Sequence, residues 1–169
     1  LTRDPVLCAD VAAVFMHITS LARAGKLRQL LLAPFTMHRQ VLARIRRETR
    51  HAREGRPARI VAKMNALVEE GVIQALYAAS QAGVRIDLVV RGACALRPGV
   101  RGLSDHIRVR SILGRFLEHH RVWLFANDGD PDVWLSSADW MGRNLFKRIE
   151  VAFPVRDPEL KRRVVDEGL

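Results

Sequence analysis

The sequence predicts an α/β domain with a mixed, largely parallel central sheet flanked by helices. Two observations carry this expectation. Up to Gly92, apolar runs of strand length alternate with amphipathic helical stretches in the order β-α-β-α-β, which requires crossover connections and so parallel pairing. Beyond Gly92 the pattern changes to short strands separated by turn residues, the mark of hairpins. At 169 residues the chain suits one ordinary domain.

The elements follow in order. Asp10 is placed to cap a helix over "DVAAVFMHITSLA", in which Val11, Val14, Phe15 and Ile18 recur at three- and four-residue spacing. "KLRQLLLAP" reads as a short buried strand closed by proline. From Thr36 to Arg53 a helix carries Met37, Val41, Leu42 and Ile45 on one side and Arg39, Arg46, Arg47 and Arg50 on the other; Arg44 lies at the border and His38 interrupts the apolar face. "EGRPA" breaks this helix and "RIVAKMN" supplies a second strand. "EEGVIQALYAASQ" forms the next helix, with acids in its first turn and Gly83 at its end. "VRIDLVVRG" is a third strand, and "LRPGVRGLSDH" a loop. "IRVRSI", "RVWLFA", "DVWLSS" and "KRIEVAFPV" are later strands, the middle two joined by the turn "NDGDP". Asp157 caps a last helix that has Pro158 at its first position.

The hydrophobic fraction of 49% and charged fraction of 27% exclude a disordered or collagen-like chain. No apolar run is long enough to span a bilayer as a helix, and the first residues lack the pattern of a signal peptide. Cys8 and Cys94 are far apart, so neither a disulfide framework nor a zinc knuckle is expected. A cytoplasmic protein is expected, with membrane association as the alternative location. The formal net charge of +10 rests almost wholly on arginine. Arginine's planar fork suits phosphate oxygens and points to an anionic partner. A GC-rich genome would enrich arginine equally.

The segment "RFLEHHRVWLF" holds the most chemistry. Strand alternation would put His119 and Arg121 on one face and His120 on the other. An imidazole beside a guanidinium can meet a phosphate, so His119 and Arg121 are both candidate phosphate-binding residues. The alternative is a strand-edge His119 in water or bonded to a carbonyl. Diverging neighbours without ligand-spaced Cys or carboxylate do not suit a metal. "SSADWMGRN" should lie beside this segment across the hairpin, where it could orient a histidine, bind an anion or merely cap its own turn. Arg91 ends a presumed parallel strand, where ligands gather in open α/β sheets. Arg143 and Arg148 are further candidates, each with a plain surface role as the alternative. Gly-rich phosphate loops are absent, and the aromatics do not interleave with basic residues, so nucleic acid is not an expected partner.

"KMNALVEEGVIQALYAASQAGVRIDLVVRGACALRPGVRGLSDHIRVRSILGRFLEHHRV", followed by "SSADWMGRNLFKRIEVAFPV", resembles the C-terminal domain of the first, phosphohistidine-forming family of bacterial polyphosphate kinases. The resemblance implies a phospholipase D-like half, with "HHR" and "SSAD" as one degenerate half-signature and Arg121 where lysine would be expected. It implies reversible transfer of the terminal phosphate of ATP to inorganic polyphosphate, with magnesium. His119 would be the second active-site histidine and would contact the nucleotide phosphates. Arg91 would bind ATP and Arg148 would line the same phosphate tunnel, while Lys63, Ser137 and Asp139 fall in family motifs without an assigned role. The phosphoacceptor histidine, the magnesium-linked arginines and the adenine-stacking tyrosine would lie in a preceding domain. Residues 1–20 would be the last helix of that domain and residues 21–169 the phospholipase D-like domain, so the isolated segment would be inactive and the chain a piece of a longer, homo-oligomeric parent. The alternatives are a stand-alone polyanion-binding module and a phospholipase D-type phosphodiesterase.

Overall fold

A computed structural model describes residues 2–20 and 25–169. The expected domain boundary at residue 21 falls among residues outside this description. Seven strands form one sheet in the order β1-β7-β6-β5-β2-β3-β4, with β1 at Leu31–Ala33, β2 at Arg59–Met64, β3 at Arg85–Val90, β4 at Ile107–Arg110, β5 at Val122–Phe125, β6 at Asp132–Ser136 and β7 at Glu150–Pro154. The sheet is mixed, as expected, but parallel pairing is confined to β2-β3 and β3-β4. The other four pairings are antiparallel. The first strand is the reason for this departure from a largely parallel sheet: β1 pairs antiparallel with β7 at the far edge and never joins β2. The βαβ inference therefore holds for only one of its two crossovers.

Helices α2 (Met37–Arg53) and α3 (Glu70–Gln81) cover one face. The apolar stripe of α2, with Met37, Val41 and Ile45 fully buried, packs with Val72 and Leu76 of α3 on Ile60, Ala62, Ile86, Leu88, Trp123 and Phe125 of the sheet. Each such aliphatic side chain contributes about 1.5–3 kcal/mol by leaving water. Glu69 caps α3 by accepting from the amides of Gly71 and Val72, and Gly83, with φ +93°, takes the chain out of it.

On the other face, α1 (Pro5–Ser20) packs Val14 on Leu30 and Leu32, and α5 (Pro158–Gly168) sets Val164 and Val165 against Val122, Val133 and Val155. Asp157 caps α5 as expected. Asp10 does not cap α1. Asp4, followed by Pro5, takes that role, accepting from the amides of Val6 and Leu7. Asp10 instead lies buried inside the helix and accepts from the amides of Arg28, Gln29 and Leu30. Burial opposes its ionisation, yet those amides outweigh the penalty and hold its carboxyl below the usual range. Of the apolar stripe expected on α1 only Val14 is buried; Val11, Phe15 and Ile18 are exposed. No helix among the described residues is long and apolar enough to cross a membrane.

Candidate functional site

The topology gathers seven candidates at one edge of the sheet. The C-terminal ends of β2, β3 and β6 lie at this edge with the starts of β5 and β7, because antiparallel partners reverse direction. Lys63, Arg91, Arg121, Ser137, Asp139 and Arg148 flank those ends, and His119 stands just before β5.

Asp139 is the hub. Nearly buried, it accepts from the amides of Asn65 (2.7 Å) and Ala66 (3.2 Å) and takes both Nε (3.0 Å) and Nη2 (3.1 Å) of Arg121. The two amides tie the end of β2 to the β5-β6 hairpin, and the two-point pairing of Arg121 with Asp139 makes "HHR" and "SSAD" neighbours. Arg121 also donates through Nη1 to the carbonyl of His119 and approaches its Nδ1 at 3.2 Å. A guanidinium can only donate, so Nδ1 accepts and the ring proton sits on Nε2. His119 itself is exposed. The two side chains meet in the stretch without regular structure just ahead of β5, which begins only at Val122.

Arg91 follows β3. Gly92 makes its position possible, since a Cβ there would meet the Asn65 carbonyl at 3.0 Å, and its amide donates to that carbonyl at 2.7 Å. Arg91 donates through Nη2 to Oδ1 of Asn65 at 2.6 Å, while its buried Nε has no hydrogen-bond partner. It lines a cavity of 240 Å³ whose other wall is the loop from Ile112 to Glu118. Lys63, almost wholly buried, donates to Glu118 at 2.8 Å. That hydrogen bond and the ammonium charge hold the Glu118 carboxyl below its usual range.

The remaining candidates are looser. Ser137 is exposed, and its hydroxyl accepts from the amide of Val151 and donates to Glu150. Arg148 is exposed in the turn before β7, and its guanidinium makes no hydrogen bond or ion pair among the described residues. Arg143 is exposed in the short helix α4 (Gly142–Phe146), which follows the turn of "SSADWM". Sequence reasoning also missed Asn65 and Glu118 as partners. Asn65 ends its strand, which is a signal of a kind; Glu118 lies 55 residues from Lys63 and carries none.

The carboxylates here do not suit magnesium. Asp139 holds Arg121 and two amides, Glu118 holds Lys63, and Glu150 holds Ser137 and Asn144. Among the described residues no group of three or more His, Cys, Asp or Glu side chains is placed to hold a metal ion.

The family described as polyphosphate kinase C-terminal domain 2 matches residues 30–167. The chain belongs to this polyphosphate kinase family. It is 60% identical over its whole length to a polyphosphate kinase of Neisseria gonorrhoeae and 59% identical to one of Burkholderia multivorans, and it spans 25% of the length of each. The crystal structure of polyphosphate kinase from Porphyromonas gingivalis matches 98% of this chain with a TM-score of 0.94 at 41% identity, again over 25% of that chain. The phospholipase D family member Nuc from Salmonella typhimurium matches 82% of this chain and 89% of its own, with a TM-score of 0.58 at 17% identity, which establishes a shared fold. The phospholipase D-like half expected of a polyphosphate kinase C-terminal domain is therefore present.

Proposed function

We propose that this chain is the C-terminal portion of a longer polyphosphate kinase that reversibly transfers the terminal phosphate of ATP to inorganic polyphosphate, and that it supplies one wall of the phosphate site. In this reading residues 1–20 are the last helix of a preceding domain and residues 21–169 the C-terminal domain. The exposed stripe of Val11, Phe15 and Ile18 supports that division, since an apolar helix face left open within the chain suits a neighbouring domain. The phosphoacceptor histidine and the residues that handle magnesium belong to the preceding part, the parent is a homo-oligomer, and the enzyme works in the cytoplasm.

The observation that carries the proposal is the buried, unpartnered Nε of Arg91 in a guanidinium that lines a cavity at the strand ends. A buried donor without a partner is costly, and a phosphate oxygen would satisfy it with a charge-assisted bond. Arg121 differs: its Nε and Nη2 are committed to Asp139 and its Nη1 to His119, so it acts as a positioning residue. Through it, Asp139 holds the His119 ring with Nδ1 occupied and the Nε2 proton directed away. His119 then donates to a phosphate oxygen and stabilises charge as the phosphoryl group leaves ADP. Arg148 meets the polyphosphate at the rim.

The test is ATP-dependent polyphosphate synthesis by the full-length parent. Arg91→Ala and His119→Ala are each expected to lower the rate by roughly 10²–10³, the loss seen when one preorganised donor is removed. His119→Gln, which keeps an outward N–H but cannot carry a proton, should retain more rate than His119→Ala. Equal losses would assign proton transfer to His119 instead. Parental rates in both alanine variants would overturn the site.

A further inference from the structure

At the opposite end of the hairpin the fold builds a second basic cavity, of 660 Å³. Its cause is the shortness of β1, which pairs with β7 only at Glu150–Ala152. Pro154 and Val155 therefore face a notch beyond the end of β1, walled by α2 and by the segment that leads into β1. Among the described residues the walls carry Lys26, Arg28, Arg39, Arg44, Arg47 and Arg156.

The carboxylates do not balance these charges. Asp132 is shared by Arg44 and Arg47, each at 3.1 Å. Arg47 keeps a buried Nε without a hydrogen bond, the nearest carboxylate oxygen being that of Glu48 at 3.5 Å. Burial pushes the Arg44 guanidinium below its usual range; attraction to Asp132 opposes this, and repulsion from Arg47 adds to it. Asp130 answers Lys161 at 3.6 Å. Lys26, Arg28, Arg39 and Arg156 have no carboxylate at ion-pair distance among the described residues, although Asp10 and Asp4 attract Arg28 and Arg156 from further away. Arg44 and Arg47 share Asp132, Arg47 has Glu48 besides, and the unpaired cations around them still leave an excess of positive charge that gains from an added anion.

We propose that this cavity is a second anchoring site for a linear polyphosphate, remote from Arg91 and occupied by a distant part of the same polymer. The identity of the polymer rests on the functional reading above. The walls favour a polyanion, because cations outnumber carboxylates around them and Trp134, 4% exposed, lies beneath Arg44 at 4.2 Å; the aromatic ring open at the wall is Phe35. Strand β6, Asp132–Ser136, separates this cavity from the other end of the sheet. Five residues at ~3.4 Å each make that about 17 Å. A short anion occupies one site at a time, whereas a long polymer engages both, and its second contact benefits from high effective concentration.

The test compares long-chain polyphosphate with tripolyphosphate binding to the full-length kinase and to its Arg39→Glu/Arg156→Glu variant, at several salt concentrations. Both side chains are exposed and neither belongs to the Arg91 cluster. Long-chain affinity is expected to fall about tenfold or more and its salt dependence to flatten, while tripolyphosphate and ATP affinities stay within about twofold and the melting temperature is unchanged. Unchanged long-chain affinity, equal loss for both anions, or a lowered melting temperature in place of lost affinity would each overturn the proposal. Failure here is separable from failure at Arg91. Unchanged length preference with synthesis lost in Arg91→Ala defeats only the second site; lost length preference with synthesis intact in Arg91→Ala defeats only the first.

Discussion

Asp132 and Asp139 stand at opposite ends of one strand, and each meets arginine, but the two ends use the carboxylate differently. Asp139 is buried, serves a single guanidinium at two points and accepts two backbone amides as well. Asp132 is partly open, divides one oxygen between Arg44 and Arg47, and gives its other oxygen to the Trp134 indole at 2.6 Å. At the first end charge is matched and geometry held, so the cation positions another group. At the second, positive charge is left over, and the cations remain available to a ligand. Counting arginines would treat the two ends alike.

The largest effect is expected at Asp139. Asp139→Ala strands the guanidinium of Arg121 and two buried amides, and is expected to cost about 3–5 kcal/mol in urea unfolding. A double-mutant cycle with Arg121→Ala should show strong coupling, because both substitutions remove one interaction. Asp132→Ala is expected to cost less, about 1–2 kcal/mol, since Arg44 and Arg47 retain some access to water. It should also tighten long-chain polyphosphate binding to the full-length kinase, measured by titration, as two guanidiniums lose their shared carboxylate. A stability loss as large as that of Asp139→Ala would erase the distinction between the two ends.

The smallest effect is expected at Glu118. Its carboxyl is held below the usual range chiefly by the hydrogen bond from Lys63, so its link to Lys63 is fully present above the unfolded pKa and is lost as pH falls through the lowered folded value. The ordering of residues 111–118, followed by limited proteolysis, should therefore hold through the ordinary glutamate range and loosen only below it. Glu118→Gln should open the segment to cleavage at neutral pH, with little change in global stability.

Much of the fold could be read locally. The stripe of Met37, Val41 and Ile45, the β-branched run of "RIVAKM" and the Asp157-Pro158 cap are patterns within a few residues, and each element formed where the pattern lies. The signal for the start of α1 was also present, in Asp4-Pro5, but the apolar periodicity drew the cap to Asp10. Asp10 is instead a long-range acceptor, tying α1 to the approach to β1 eighteen to twenty residues away. The site was legible as residue types, Arg91, His119, Arg121 and Asp139, but not as roles.

By itself the sequence determined which segments become helix or strand, the strongly basic character and the family, because these depend on side-chain pattern along the chain. The assembled fold settled that β1 pairs at the far edge and leaves a notch, that Arg121 serves Asp139 while Arg91 keeps a free donor, and that Lys63 finds Glu118. Those outcomes depend on which groups compete for the same buried partner once distant segments are brought together, and that competition has no counterpart in local sequence.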